Sequence, residues 1–244
     1  MDKKATMEKL ARDACARGGF NGVWLYAENG VIVSNGACGF RDAENKLPME
    51  ADSIFEMASV TKQFTAAAIM LLAREGKLGL DDEITGYFPE FPYKGVRIRH
   101  LLTHTSGIPD YDVEEWVAPV LEKENRIPPC SETVGFICES GEEAIGAPGE
   151  KYCYSDIGYT MLANTVEKVS GVGFEEFLKK YIFEPAGMAD TGIFHTRRDG
   201  RPSDRFTRNM VLEDEGYVPS DVSENTRGYV VGSDGLNGCD YAYT

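Results

Sequence analysis

The sequence has no apolar run long enough to cross a bilayer. Its longest, Ala66 to Ala73, holds eight residues, against the roughly 20 that a spanning helix needs. A run of that length suits a buried helix. No secretory leader is visible either, because no apolar stretch follows the charged start Met1-Asp2-Lys3-Lys4. The expectation is therefore a cytoplasmic protein, or an exported one if a leader has been removed. Positive charge is scarce: 25 Lys and Arg face 40 Asp and Glu, for a net charge of −15. Such a field repels nucleic-acid backbones and anionic membrane surfaces. The two basic segments, Lys94 to His100 and Thr196 to Arg208, read as solvated loops. None of the six cysteines forms a CxxC pair, so zinc-knuckle and thioredoxin-type motifs have no support. Six reduced thiols are expected. GxSxG, GxGxxG and P-loop motifs are absent, which removes the warrant for an α/β-hydrolase elbow or a nucleotide site. With only three histidines, a Ser-His-Asp triad has few candidates. His100 and His104 have i, i+4 spacing, but the segment reads H-L-L-T-H and lacks the glutamate of a zinc protease. His104 is expected to cap and pack the end of its helix.

What is present suits a folded globule. The chain has 244 residues, 42% of them hydrophobic, enough for a core without staples. No repeat or Gly/Ser linker divides it. Residues 2–17 read as a helix stopped by Gly18-Gly19. Gly22 to Ala27 and Val31 to Phe40 flank Asn29-Gly30, a strong hairpin signal. Ser59 to Glu75 is apolar nearly all round and reads as a helix in the middle of a domain. Further helices are expected at Ile98 to Thr103, Glu114 to Lys123, Ser131 to Glu139 (Ser131 as N-cap), Tyr154 to Val169 and Phe174 to Phe183. After Met188 the chain reads as irregular to its end. An isolated hairpin is not stable alone, and few partner strands are evident.

Two short segments could carry chemistry. Ser59-Val60-Thr61-Lys62 is an SxxK at the start of the apolar helix. Residues three apart share a helix face, the helix N-terminus favours a developing alkoxide, and a partly desolvated lysine suits a base. A plain Ser N-cap followed by a surface lysine explains the same letters. Tyr154-Ser155-Asp156 begins another helix, and a tyrosine there could act as a general acid or base. A half-buried tyrosine beside an N-cap is the alternative.

In combination these segments become specific. SVTKQFTAAAIMLLAREGKLGLDDEITGYFPEFP, IRHLLTHTSGIPDY, PGEKYCYSDIGYTMLANTVEKVSG and FEEFLKKYIFEPAGMADTGIF follow one another in that order. Together they resemble the serine β-lactamase-related family of class C β-lactamases, penicillin-binding D-alanyl-D-alanine carboxypeptidases and esterases. The hairpin FNGVWLYAENGVIVSNGACGFRDAENKLPM resembles that family's opening strands. The likeness runs from Phe20 to Phe194. It implies an α+β fold: an antiparallel sheet flanked by helices, plus a mostly helical region over about 80–190, with the active site between the two. It implies one such domain over 1–244, C-terminally truncated. No cofactor and no metal are implied. By motif, Ser59 is the acyl-accepting nucleophile, Lys62 its proton-sharing partner, and Tyr154 the general base for Ser59 and acid for the leaving group. The substrate would be a small ester, β-lactam or D-amino-acid amide.

Two departures from the family pattern matter. Its YxN motif has Asp156 in place of the asparagine. Asp156, at a substrate-binding position, can only accept hydrogen bonds, so it should pair with Lys62 and disfavour acylamino-β-lactams. The family's K-T-G or H-x-G strand motif is absent. That leaves the sheet incomplete and its edge open, and open edges pair with other chains. A homodimer, or a complementing C-terminal chain, is expected. The alternative to an enzyme is an incompetent split domain or a binding remnant.

Overall fold

The Asn29-Gly30 turn sets the first element pair, because both residues adopt positive φ, 48° and 77°, as a tight hairpin turn requires. The computed structural model describes residues 2–55, 57–110, 120, 123–124, 130–193, 203–208, 210–213 and 216–219. They fall into two compact units, 2–55 with 203–219 and 57–193.

In the first unit, strand β1 (Gly22–Glu28) runs antiparallel to β2 (Val31–Cys38), with a register shift between Tyr26 and Ala27. Trp24 lies opposite Gly36, where a Cβ would meet the indole at 2.4 Å. Glycine is the residue that fits. Helix α1 (Lys3–Ala16) is capped by Asp2, whose carboxylate accepts from the Ala5 N–H at 3.2 Å. Cys15 of α1 is disulfide-bonded to Cys38 of β2, with Cα atoms 6.2 Å apart. This corrects the expectation of six reduced thiols. The pairing depends on α1 packing along β2, a long-range contact that the cysteine spacing does not disclose. Cys138 and Cys153 are free. Two further ladders are short: β3 (Phe40–Asp42) with β4 (Leu47–Pro48), and β5 (Met210–Glu213) with β6 (Gly216–Pro219). The β5–β6 hairpin corrects the irregular reading after Met188. Neither Met-Val-Leu-Glu nor Gly-Tyr-Val-Pro alternates apolar with polar residues, so the strand signal is missing from the sequence.

The second unit is helical. It contains α2 (Lys62–Arg74), α3 (Ile98–Leu102), α4 (Thr133–Ser140), α5 (Asp156–Ser170) and α6 (Phe174–Leu178), which runs on into a π-turn over Lys179–Phe183. The helix expected over Glu114 to Lys123 lies outside the described residues, apart from 120 and 123. Ser131 is not an N-cap; it lies inside a 3₁₀ turn, Cys130–Glu132, that leads into α4. The central helix is α5, in which ten consecutive residues from Ile157 to Val166 are buried. By contrast α2 keeps Met70 51% exposed and buries Ala68, Ile69 and Leu72. These pack against α5, with Phe174, Phe177, Leu178 and Phe183 closing the same core. Each large apolar side chain buried there contributes about 1.5–3 kcal/mol.

The polar letters of α5 hide its position. Thr165 Oγ1 donates to the Met161 carbonyl at 2.8 Å, and Asn164 Nδ2 to the Thr160 carbonyl at 2.9 Å. Bonded within their own helix, these groups enter the core without an unpaired donor. The architecture is α+β, as the resemblance implies: short antiparallel ladders together with a helical unit.

Candidate active site

Ser59 lies in the 3₁₀ turn Ala58–Thr61 that opens into α2. Ala58, immediately before it, has φ of 43°, a left-handed conformation that costs a non-glycine residue roughly 1–2 kcal/mol. Such strained residues cluster at functional sites. One turn on, Lys62 is 7% exposed. The i, i+3 spacing brings its Nζ to 3.2 Å from Ser59 Oγ.

The opposite wall comes from the N-terminus of α5. Tyr154 places its hydroxyl 2.6 Å from Ser59 Oγ. Asp156, the first residue of α5, forms an ion pair with Lys62. The Lys62 ammonium also lies 4.9 Å from the Tyr154 ring centroid and 5.6 Å from that of Tyr159. All four residues singled out in the sequence, Ser59, Lys62, Tyr154 and Asp156, therefore meet within the second unit.

Three neighbours escape sequence reasoning. His104 does more than end its helix. Its ring stacks on Tyr154, with centroids 4.4 Å apart and planes 28° from parallel. Its Nδ1 accepts the Ser155 N–H at 3.2 Å. Burial, reinforced by the charge on Lys62, pushes the His104 pKa below its ordinary value. The ring is therefore neutral at pH 7, with its proton on Nε2. Tyr159 donates to the Leu102 carbonyl at 3.0 Å, and burial, with Tyr154 and Tyr152 nearby, raises its pKa. Asp110 faces the start of α5, where its Oδ1 accepts from the Asp156 N–H at 2.8 Å and the Ile157 N–H at 3.2 Å. It also accepts from the Ser155 hydroxyl at 3.2 Å. Burial, and the neighbouring Asp156 carboxylate, push the Asp110 pKa up against these three bonds. His104 and Asp110 both lie within the segment IRHLLTHTSGIPDY; the His100–His104 spacing points to a helix end and not to Tyr154, and nothing in the spacing marks Asp110.

The backbone explains how this segment reaches α5. Cys153 N–H bonds the His104 carbonyl at 2.7 Å, Gly149 N–H the Thr105 carbonyl at 2.7 Å, and Ile145 N–H the Gly107 carbonyl at 2.8 Å. The chain before α5 is thereby laced to the chain after α3. Chemically the arrangement is a serine hydroxyl in contact with a tyrosine oxygen and an ammonium, with one carboxylate balancing the ammonium.

Known proteins share this architecture. The sequence model of the Beta-lactamase family matches residues 7–234. Penicillin-binding protein 4* of Bacillus subtilis (strain 168) is 36% identical over 239 residues, covering 97% of this chain and 52% of the relative. The chain thus spans about half the length of that relative. The octameric penicillin-binding protein homologue from Pyrococcus abyssi superposes with a TM-score of 0.74 at 31% identity, over 98% of this chain and 55% of that one. The D-amino acid amidase from Ochrobactrum anthropi SV3 complexed with L-phenylalanine amide gives a TM-score of 0.74 at 28% identity, over 100% of this chain and 66% of that one. With one family matched across residues 7–234 and relatives of the penicillin-binding and amidase kind, the chain belongs to the Beta-lactamase family.

Proposed function

We propose that the protein is a serine hydrolase that works through an acyl-enzyme on Ser59. The observation that carries this is the double contact of Ser59 Oγ, at 2.6 Å from the Tyr154 hydroxyl and 3.2 Å from Lys62 Nζ. Ser59 Oγ attacks the substrate carbonyl carbon, and its proton passes to the oxygen of Tyr154, which enters the step as the phenolate beside the Lys62 ammonium. Lys62, close to the Tyr154 ring, stabilises the negative charge that moves between the two oxygens. The backbone N–H of Ser59 gives one donor to the carbonyl oxygen. Tyr154 then returns the proton to the leaving group as the carbonyl–heteroatom bond breaks. Water hydrolyses the ester on Ser59 by the same route in reverse.

Lys62 acts here as an electrostatic partner, not as the base, because Asp156 holds it as an ion pair. The substrate is a small ester, a β-lactam or a D-amino-acid amide. The test is covalent labelling. A fluorophosphonate or a fluorescent penicillin should modify Ser59, and Ser59→Ala should remain unlabelled. Labelling that survives the substitution refutes the reading. Well-folded protein that takes up neither probe does so too, and favours a binding module that depends on another chain.

A further inference from the structure

The first turn of α5 is capped from a distance. An α-helix begins with backbone N–H groups that have no partner inside the helix. In α5 the first two, on Asp156 and Ile157, go to Asp110 Oδ1 at 2.8 and 3.2 Å. The third, on Gly158, goes to Ser155 Oγ at 3.0 Å. Ser155 is 1% exposed, and its own hydroxyl proton is turned to Asp110 at 3.2 Å. One carboxylate oxygen therefore fixes both the helix start and the rotamer of its N-cap residue. The residues on either side of that cap are Tyr154 and Asp156, which reach Ser59 and Lys62.

Asp110 itself is held by its own segment. Ile108, two residues earlier, is 1% exposed. The Gly107 carbonyl two residues before the Pro109-Asp110 step accepts the Ile145 N–H at 2.8 Å. A side chain on a braced loop thus sets the origin of the helix whose first residues carry the proposed acid–base and ion-pair groups.

We propose that Asp110 is a positioning residue that holds Tyr154 against Ser59 by clamping the N-terminus of α5. This rests on the serine-hydrolase reading above. Asp110 does not touch the reacting atoms; it acts through Ser155 and the two backbone amides. Its loss releases the first turn of α5, so Tyr154 drifts from Ser59 and acylation slows, while binding of a small substrate changes little.

The experiment compares Asp110→Ala with Asp110→Asn, whose amide oxygen can still accept the helix N–H groups. Hydrolysis of a p-nitrophenyl ester is measured beside thermal unfolding. Asp110→Ala should lower kcat at least tenfold with KM within threefold, and Asp110→Asn should keep a third or more of the parent kcat. Crystal structures of both variants read placement without turnover. The Ser59–Tyr154 oxygen separation of 2.6 Å should open beyond hydrogen-bond range in Asp110→Ala and persist in Asp110→Asn. Either an unchanged separation or an unchanged kcat in Asp110→Ala overturns the assignment. Equal losses in both variants overturn it too, since charge and not hydrogen-bond geometry would then matter. If Asp110→Ala does not fold, Asp110→Ser, too short to reach the helix, replaces it. Failure of both to fold makes Asp110 a folding determinant and removes the role. Should the parent take up no active-serine probe, the hydrolase reading fails, while the crystallographic comparison still decides the clamp.

Discussion

At the scale of single residues, the replacement of an amide by a carboxylate at Asp156 has the clearest consequence. An asparagine side chain offers both a donor and an acceptor, whereas an ionised aspartate only accepts. Asp156 spends one oxygen on Lys62 and presents no donor to an acyl group. A substrate whose side-chain carbonyl seeks a donor there meets a like-natured oxygen instead. An unmet buried acceptor costs about 1–3 kcal/mol. Asp156→Asn should therefore speed acylation by an acylamino-penicillin by about tenfold, near the low end of that range. Stopped-flow quenching with a fluorescent penicillin measures it. An equal or slower rate in the variant would sink the argument. Ser59, Lys62, Tyr154 and Asp156 were all legible as letters, because spacing on one helix and position at a helix start are local properties. His104 was not, since its stack on Tyr154 joins residues 50 positions apart in the chain.

At the scale of elements, the loop between α3 and the described residues that follow it does the most for the site. Gly107 has φ of 73°, and a Cβ on it would lie 2.1 Å from the Gly146 carbonyl oxygen. Any side chain is thus both conformationally strained and blocked by backbone. Gly107→Ala should destabilise the second unit by about 2–4 kcal/mol, the scale of strain plus steric displacement. It should also depress activity further than stability alone accounts for, because Asp110 sits three residues on. Chemical denaturation, with activity measured on the folded fraction, separates the two effects. A variant that unfolds like the parent would show that the loop yields easily. The same loop marks a limit of reading by periodicity. The hairpin, α1, α2, α5 and α6 all announce themselves through turn residues or apolar faces. The segment from His104 to Asp110 has turn residues, Ser106, Gly107 and Pro109, that mark a stop but not a path, and its form comes from backbone pairing with 145–153. The burial of α5 is hidden from the sequence for a related reason. The residue pattern of α2 is more apolar, yet α5 is the one enclosed, because its Thr and Asn groups bond inside the helix.

For the molecule as a whole, the opposing terms are net charge and exposed apolar surface. Among the described residues, β1 and β2 pair only with each other. Leu25 is 63% exposed, Val31 66% and Ile32 58%, all on that one hairpin. An open strand edge with apolar side chains is a template for another strand, and a two-stranded ladder gains stability from additional partners. The net charge of −15 opposes association between copies, and added salt screens that repulsion, since the Debye length falls from about 10 Å at 0.1 M to about 3 Å at 1 M. Self-association should therefore appear, or strengthen, as salt is raised. Light scattering across 0.05–1 M NaCl (about 14 to 3 Å of screening length) measures it. Val31→Lys, which places a charge on the hairpin, should shift the equilibrium toward monomer at every salt. A parent that stays monomeric throughout, or a variant that associates equally well, means that this hairpin is not the surface through which copies meet.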